Sequence, residues 1–339
     1  MTILFAGGED TSFALTGTSG GARQSSEFRT TFARCSLWAS NVAASDPPAN
    51  RWTSPVFTAG SDLWLHCVMT ENVLTQTANA QVFLFYSPDN VARVLVRTTA
   101  TSGQWKVSTQ NAAGTKTDVV TASANHTTNH LTTVDIHVDF GASGGVTMWY
   151  DGVQVASYSG SLRTDAATQL DHFAFSSATN SGVIGDNTQW SEFIAANEDT
   201  TSMSLWTLAP VASGNTQSWT PNTVGNINEV IINDATSVST TTNNALSQWT
   251  TPVTAPSGAW NVRAIVQEAR LQRGATGPQH ADFSLRTAST DYVAGSTLAV
   301  GTSFSNFGNA LWLTNPNTSA AWAITDIASG FNLGVKAIA

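Results

Sequence analysis

Lysine is almost absent. Only Lys106, Lys116 and Lys336 occur in 339 residues, and charged residues together make up 11% of the chain, against roughly 25% in an ordinary soluble domain. The 14 Lys and Arg set against 23 Asp and Glu leave a formal charge of −9. Without a basic field, nothing draws the chain to nucleic acid or to an anionic bilayer surface, and neither kind of partner is expected. Long apolar runs are missing too, so no segment reads as a membrane span. The opening Met1-Thr-Ile-Leu-Phe-Ala-Gly-Gly has no basic residue ahead of its apolar run, which Gly7 cuts short, and it is read as carrying no secretory leader. Cysteine occurs twice, as Cys35 and Cys67, and the pair is read as buried reduced thiols rather than a disulfide. Strong catalytic spacings are absent: there is no P-loop, no Gly-x-Gly-x-x-Gly after a strand, no Cys-x-x-Cys and no His-Glu-x-x-His. No cofactor is expected.

What fills the chain instead is β-forming. Hydrophobic residues reach 41%, with 12 Trp and 15 Phe, and polarity comes from Thr, Ser, Asn and Gln. This balance favours pleated sheets over helices with charged outer faces. In Asp62-Leu-Trp-Leu-His-Cys-Val-Met-Thr70 both faces are largely apolar, as in a central strand. Gln81–Tyr86 and Val91–Arg97 flank the turn formers Ser87-Pro-Asp-Asn90. Gln104–Thr109 and Lys116–Thr121 bracket Asn111–Thr115, giving a second hairpin. Strict alternation in Val134-Asp-Ile-His-Val-Asp-Phe140 puts Val134, Ile136, Val138 and Phe140 inside, with Asp135, His137 and Asp139 outside. After a glycine turn comes Val146-Thr-Met-Trp-Tyr150, then Asp151-Gly152 suited to a type I′ turn, then Val153–Val155. If Phe140 opposes Val146, then His137 meets Trp149 and Asp139 meets Thr147 on the outer face. His172–Phe175 and Gln189–Ala195 bring the strand count to that of a two-sheet sandwich.

The polar run Asn197-Glu-Asp-Thr-Thr-Ser202 marks a boundary, and the chain is divided into residues 1–200 and 201–339. Val211–Val238 reads as a long loop. Trp260–Arg270, Ala281–Arg286, Ser303–Phe307, Ala310–Thr314 and Phe331–Ile338 read as strands. Gly274–Gln279 reads as a hairpin loop, and Thr325–Ser329 as one helical turn ended by Gly330.

Candidate site residues lie on the outer strand faces. Asp135 and Asp139 are four residues apart, roughly 13 Å along a strand, which is too far for paired glycosidase carboxylates. The Asp135-x-His137-x-Asp139 face reads as a solvated sheet surface in preference to a metal site. Asp135, His137 and Asp139 beside the indole of Trp149 make a polar surface with an aromatic plate, of the kind that holds sugars by hydroxyl hydrogen bonds and C–H stacking. Trp105, in its hairpin, is a second candidate platform.

The segment Val134–Val155 resembles the late strands of concanavalin A-like and laminin-G-like jelly rolls. Trp190–Met203, Asn228–Thr236, Leu311–Trp322 and Phe331–Lys336 are similar to minor structural proteins of tailed bacteriophages, in which a laminin-G-like domain joins a second β-sandwich. The resemblance implies an all-β fold, a jelly-roll sandwich followed by a second sandwich that serves assembly. It also implies a non-enzymatic part of a virion: a tail tip, fibre or head-surface appendage, made in the host cytoplasm. Its expected partners are other virion proteins, further copies of itself and host surface glycans. The alternatives are a capsid decoration protein and a glycan depolymerase. No acidic-Asn cluster matches the calcium and sugar ligands of the lectins, so these are not carried over.

Overall fold

A computed structural model of the chain describes residues 2–23, 32–39, 47–71, 78–177, 188–252, 258–328 and 331–339. Among the described residues the chain is all β apart from 3-10 turns and one short helix, and its strand pairs are antiparallel. It forms two compact units, Met1–Trp206 and Thr207–Ala339.

The N-terminal unit contains β1 (Ile3–Gly7), β2 (Ala14–Thr16), β3 (Gly20–Arg23), β4 (Ser36–Ala39), β5 (Arg51–Thr53), β6 (Asp62–Thr70), β7 (Gln81–Tyr86) and β8 (Ala92–Thr98). They are followed by β9 (Trp105–Gln110), β10 (Lys116–Thr121), β11 (Thr132–Asp139), β12 (Gly145–Tyr150), β13 (Val153–Ser159), β14 (His172–Phe175) and β15 (Gln189–Ala196). One sheet runs β13-β12-β11-β6-β15-β4-β3, with β1 also on β15; the other runs β10-β9-β8-β7-β14-β5-β2. Their inner faces form a single core. Leu65 and Cys67 of β6, Ile136 and Val138 of β11 and Met148 of β12 meet Phe85 of β7, Val96 of β8 and Val107 of β9. At one end Phe13, Phe175 and Phe193 pack together, Phe13 edge-on to the other two at ring separations of 5.1 and 5.2 Å, the arrangement aromatic quadrupoles favour. Both cysteines are buried reduced thiols, not joined in a disulfide.

The alternation in Val134–Phe140 sorts inside from outside, but the register differs from the sequence-based one by two residues. Val138, not Phe140, opposes Val146; His137 opposes Thr147, and Asp135 opposes Trp149. A slip of two preserves the faces, so hydrophobicity cannot detect it. The turn decides instead. The Asp139 carboxylate accepts the Gly141 N–H at 2.9 Å, and Gly144 passes so close that a Cβ there would lie 2.0 Å from the Asp139 carbonyl oxygen. The chain therefore closes on the pair Asp139–Gly145.

The next turn has φ 48° at Asp151 and 75° at Gly152, as a type I′ turn requires. A Cβ at Gly152 would meet nothing within 4 Å, so Gly152→Ala tests backbone strain alone. We expect it to destabilise the unit by about 1 kcal/mol, read as a lower urea midpoint. An unchanged midpoint would show that the turn relaxes.

The C-terminal unit contains β16 (Ala212–Gln217), β17 (Leu246–Thr250), β18 (Ile265–Leu271), β19 (His280–Thr287), β20 (Thr290–Val293), β21 (Leu298–Ala299), β22 (Ser305–Trp312), α1 (Ile324–Ala328) and β23 (Asn332–Ile338). The sheet β16-β17-β23-β19-β20, with β21 on β19, is faced by the pair β18-β22. Ala269 and Leu271 of β18 and Phe307 of β22 pack on Ala281, Phe283 and Val335, making a second, smaller sandwich. Three expectations change here. Ala212–Gln217 is an edge strand inside the stretch read as loop, recognisable only by its pairing with β17. Ser303–Phe307 and Ala310–Thr314 merge into β22. Gly274–Gln279 links β18 to β19, which lie in different sheets, so it is no hairpin loop. The helical turn is α1, whose start is capped by Asp326 accepting the Ala323 N–H at 2.9 Å; Gly330 lies outside the described residues.

Candidate functional site

The outer face of the first sheet presents side chains in cross-strand rows. Asp62 of β6 is directly opposite Asp139 of β11; the next row pairs Trp64 with His137, and the next His66 with Asp135. On the far side of β11, His137 faces Thr147 and Asp135 faces Trp149 of β12. Strands two apart are separated by roughly 10 Å, yet the indoles of Trp64 and Trp149 lean together over β11. Their ring centroids are 5.3 Å apart at an interplanar angle of 18°. The His137 imidazole also lies against Trp64, at 4.2 Å and 14°. Three rings thus stand in near-parallel planes, each half-buried. His137 is fixed a second time through its Nε2, 2.8 Å from the Asp62 carboxylate.

This places the sequence-predicted residues in two classes. His137, Asp139 and Trp149 reach the surface. Trp105 and Asp135 do not, and both readings as surface contacts are corrected. Trp105 shares the inner face of β9 with Val107 and packs edge-on to Phe83 and Tyr150 in the core. Asp135 keeps its outward orientation, but the chain following β15 returns over it. Thr200 donates its hydroxyl to Asp135 Oδ1 at 2.9 Å, and the same oxygen lies 2.9 Å from His66 Nδ1. The Leu205 N–H further holds that returning stretch to the buried Glu192 carboxylate. Asp135 is therefore a buried anchor. Burial, with Asp135 charge behind it, pushes the Cys67 thiol well above its usual range, which keeps that sulfur protonated and unreactive.

Sequence reasoning missed Trp64, the hub of the stack, because it treated that strand as apolar on both faces. It also missed three polar groupings. Glu71 Oε1 accepts the Thr188 hydroxyl at 2.6 Å, and Glu71 Oε2 lies 3.4 Å from His126 Nε2, with both side chains fully buried. Burial lowers the His126 pKa to about 4, and burial, reinforced by Glu71, raises that of the adjoining Tyr150. On the outer face of the second sheet Asp118 accepts from Lys106 and Ser108, each at 2.7 Å, and from Arg97. Partial burial alone would raise its pKa, but these three donors together hold it at about 2. In that sheet, too, His172 stacks on Tyr86 at 4.5 Å, with its Nδ1 2.7 Å from the Asp171 carboxylate. None of these joins the exposed stack. Among the described residues no group of three His, Cys, Asp or Glu is placed to hold a metal ion.

No protein-family model and no curated protein matches the chain. Similar solved structures include an endo-β-1,4-glucuronan lyase from the fungus Trichoderma reesei, at 12% identity over 57% of this chain and 95% of that one, with a TM-score of 0.41. They also include a carbohydrate-binding module from Bacillus subtilis, at 10% over 54% and 93% with a TM-score of 0.34. A third is an alginate lyase solved with an alginate trisaccharide, at 10% over 58% and 99% with a TM-score of 0.35. Likeness at this level assigns no activity to this chain. It does correct one expectation. With two lyases among the structures similar to it, the statement that the chain is not an enzyme no longer stands. The chain is a β-sandwich protein of jelly-roll type with a second, smaller sandwich.

Proposed function

We propose that the N-terminal unit binds carbohydrate on the outer face of β6, β11 and β12, and that the chain is a surface part of a tailed-phage virion presenting that face to host glycans. The observation that carries the binding reading is the stack of Trp64, His137 and Trp149. Rings held in fixed planes by one another lose little freedom when a sugar's C–H face settles on them, and that preorganisation favours affinity. Thr147 and Asp139 beside them supply hydroxyl and carboxylate partners for sugar hydroxyls. Support for the virion role comes from the sequence resemblance alone, and with it goes a C-terminal unit that attaches the chain to other virion proteins or to further copies.

A glycan array probed with the full chain and with Trp149→Ala tests the binding. The variant is expected to lose about tenfold in affinity, roughly 1.4 kcal/mol, with its melting temperature close to that of the parent; full retention of binding would reject the stack as the site. New reducing or unsaturated chain ends in the bound glycan would add cleavage to binding. Antibody labelling of purified particles tests the role: label on tails favours attachment, label on heads favours decoration, and unlabelled particles overturn the virion reading.

A further inference from the structure

Resting on that carbohydrate-binding reading, we propose that the site selects amine-bearing, cationic sugars over acidic ones. The argument starts from Asp62 and Asp139, which are directly opposite each other across β6 and β11 on the solvent face. Like charges in that position repel and destabilise the strand pair. The row lies next to the stack, since Trp64 and His137 form the neighbouring cross-strand pair on the same face. Asp62 is well exposed, with its side chain 55% accessible. One Asp62 oxygen faces His137, and one Asp139 oxygen takes the Gly141 N–H; among the described residues no lysine or arginine forms an ion pair with either. A sugar lying on the rings therefore brings its edge up to two carboxylates whose mutual repulsion a protonated amine relieves. A uronate or other acidic unit there would meet like charge, on a chain whose formal charge is already −9.

The experiment is calorimetric titration of the full chain, at low salt and mildly acidic pH, with three tetrasaccharides: glucosamine, N-acetylglucosamine and mannuronate. The first two share a backbone and differ in the amine charge. The glucosamine tetramer is expected to bind about fivefold more tightly than its acetylated counterpart, the upper range for an exposed ion pair. The uronate is expected to bind most weakly. Added salt should compress the differences, and the amine preference should vanish in Asp62→Asn with Asp139→Asn, in which both amides can still accept the His137 and Gly141 hydrogen bonds. Equal binding of the first two sugars, or preference for the uronate, overturns the charge selection and leaves the carbohydrate reading standing. Glucosamine binding that survives Trp149→Ala also overturns it, because it would mark general attraction to an acidic protein. Failure of all three sugars to bind overturns both.

Discussion

Replacing Asp135 with alanine is expected to cost the N-terminal unit about 3 to 5 kcal/mol, the usual penalty for removing one partner of a buried pair. The carboxylate is fully enclosed, and its Oδ1 serves two groups at once, His66 Nδ1 and the Thr200 hydroxyl, each at 2.9 Å. Alanine leaves both without a partner in a place water does not reach, and each orphaned group costs about 1 to 3 kcal/mol. It also opens the contact by which the chain after β15 is held to the sheet. Asp135→Asn retains an acceptor oxygen and should cost clearly less, and Thr200→Val should cost about 1 kcal/mol because only one hydrogen bond is lost. Urea unfolding followed by tryptophan fluorescence gives the comparison. A loss below about 1 kcal/mol for Asp135→Ala would mean that the pair contributes no more than a surface contact.

That residue also shows where sequence reading reaches its limit. Alternation from Val134 to Phe140 says which side chains face the core, and β11 obeys it throughout. It does not say what lies over the outer face, and Asp135 is covered by a residue 65 positions away. Register is equally invisible to alternation, because a slip of two leaves every residue on its own side; the turn at Asp139–Gly145 fixes it through one carboxylate and one glycine. Trp105 is different, for its signal was present. Trp105 and Val107 alternate with Lys106 and Ser108, so the indole belonged with the valine side of the strand, and there it packs. Trp64 carried the complementary signal: it alternates with the core residues Leu63 and Leu65 and so points out. Its pairing with His137 and its reach to Trp149 arise only when β6, β11 and β12 come together, three strands drawn from segments some 85 residues apart. β16 in the C-terminal unit was illegible for yet another reason. Ala212-Ser-Gly-Asn-Thr-Gln217 has almost no apolar residue to alternate, and only its backbone pairing with β17 makes it a strand.

A second large effect is expected from pH. His126 sits with Glu71, Tyr150 and Trp105 in the interior of the sandwich. Burial, which disfavours the charged imidazolium, lowers its pKa from 6.5 to about 4. In the unfolded chain the same imidazole takes up a proton near pH 6.5. Between these values the unfolded state binds more protons than the native state, so stability is complete above pH 6.5, falls as the pH drops and levels off below about 4. At 1.36 kcal/mol per unit, the shift corresponds to about 3 kcal/mol. Unfolded-state carboxylates begin to titrate at the lower edge of this window, while Asp118, held at about 2, titrates below it, so the absolute slope near pH 4 belongs to many residues. The difference between parent and His126→Gln isolates this one. Glutamine cannot protonate, so the variant, whatever its stability at neutral pH, should lose about 3 kcal/mol less than the parent when urea midpoints are compared between neutral pH and pH near 4. Parallel pH profiles for parent and variant would show that His126 is accommodated as a cation in the native core, and that Glu71, not burial, sets its charge.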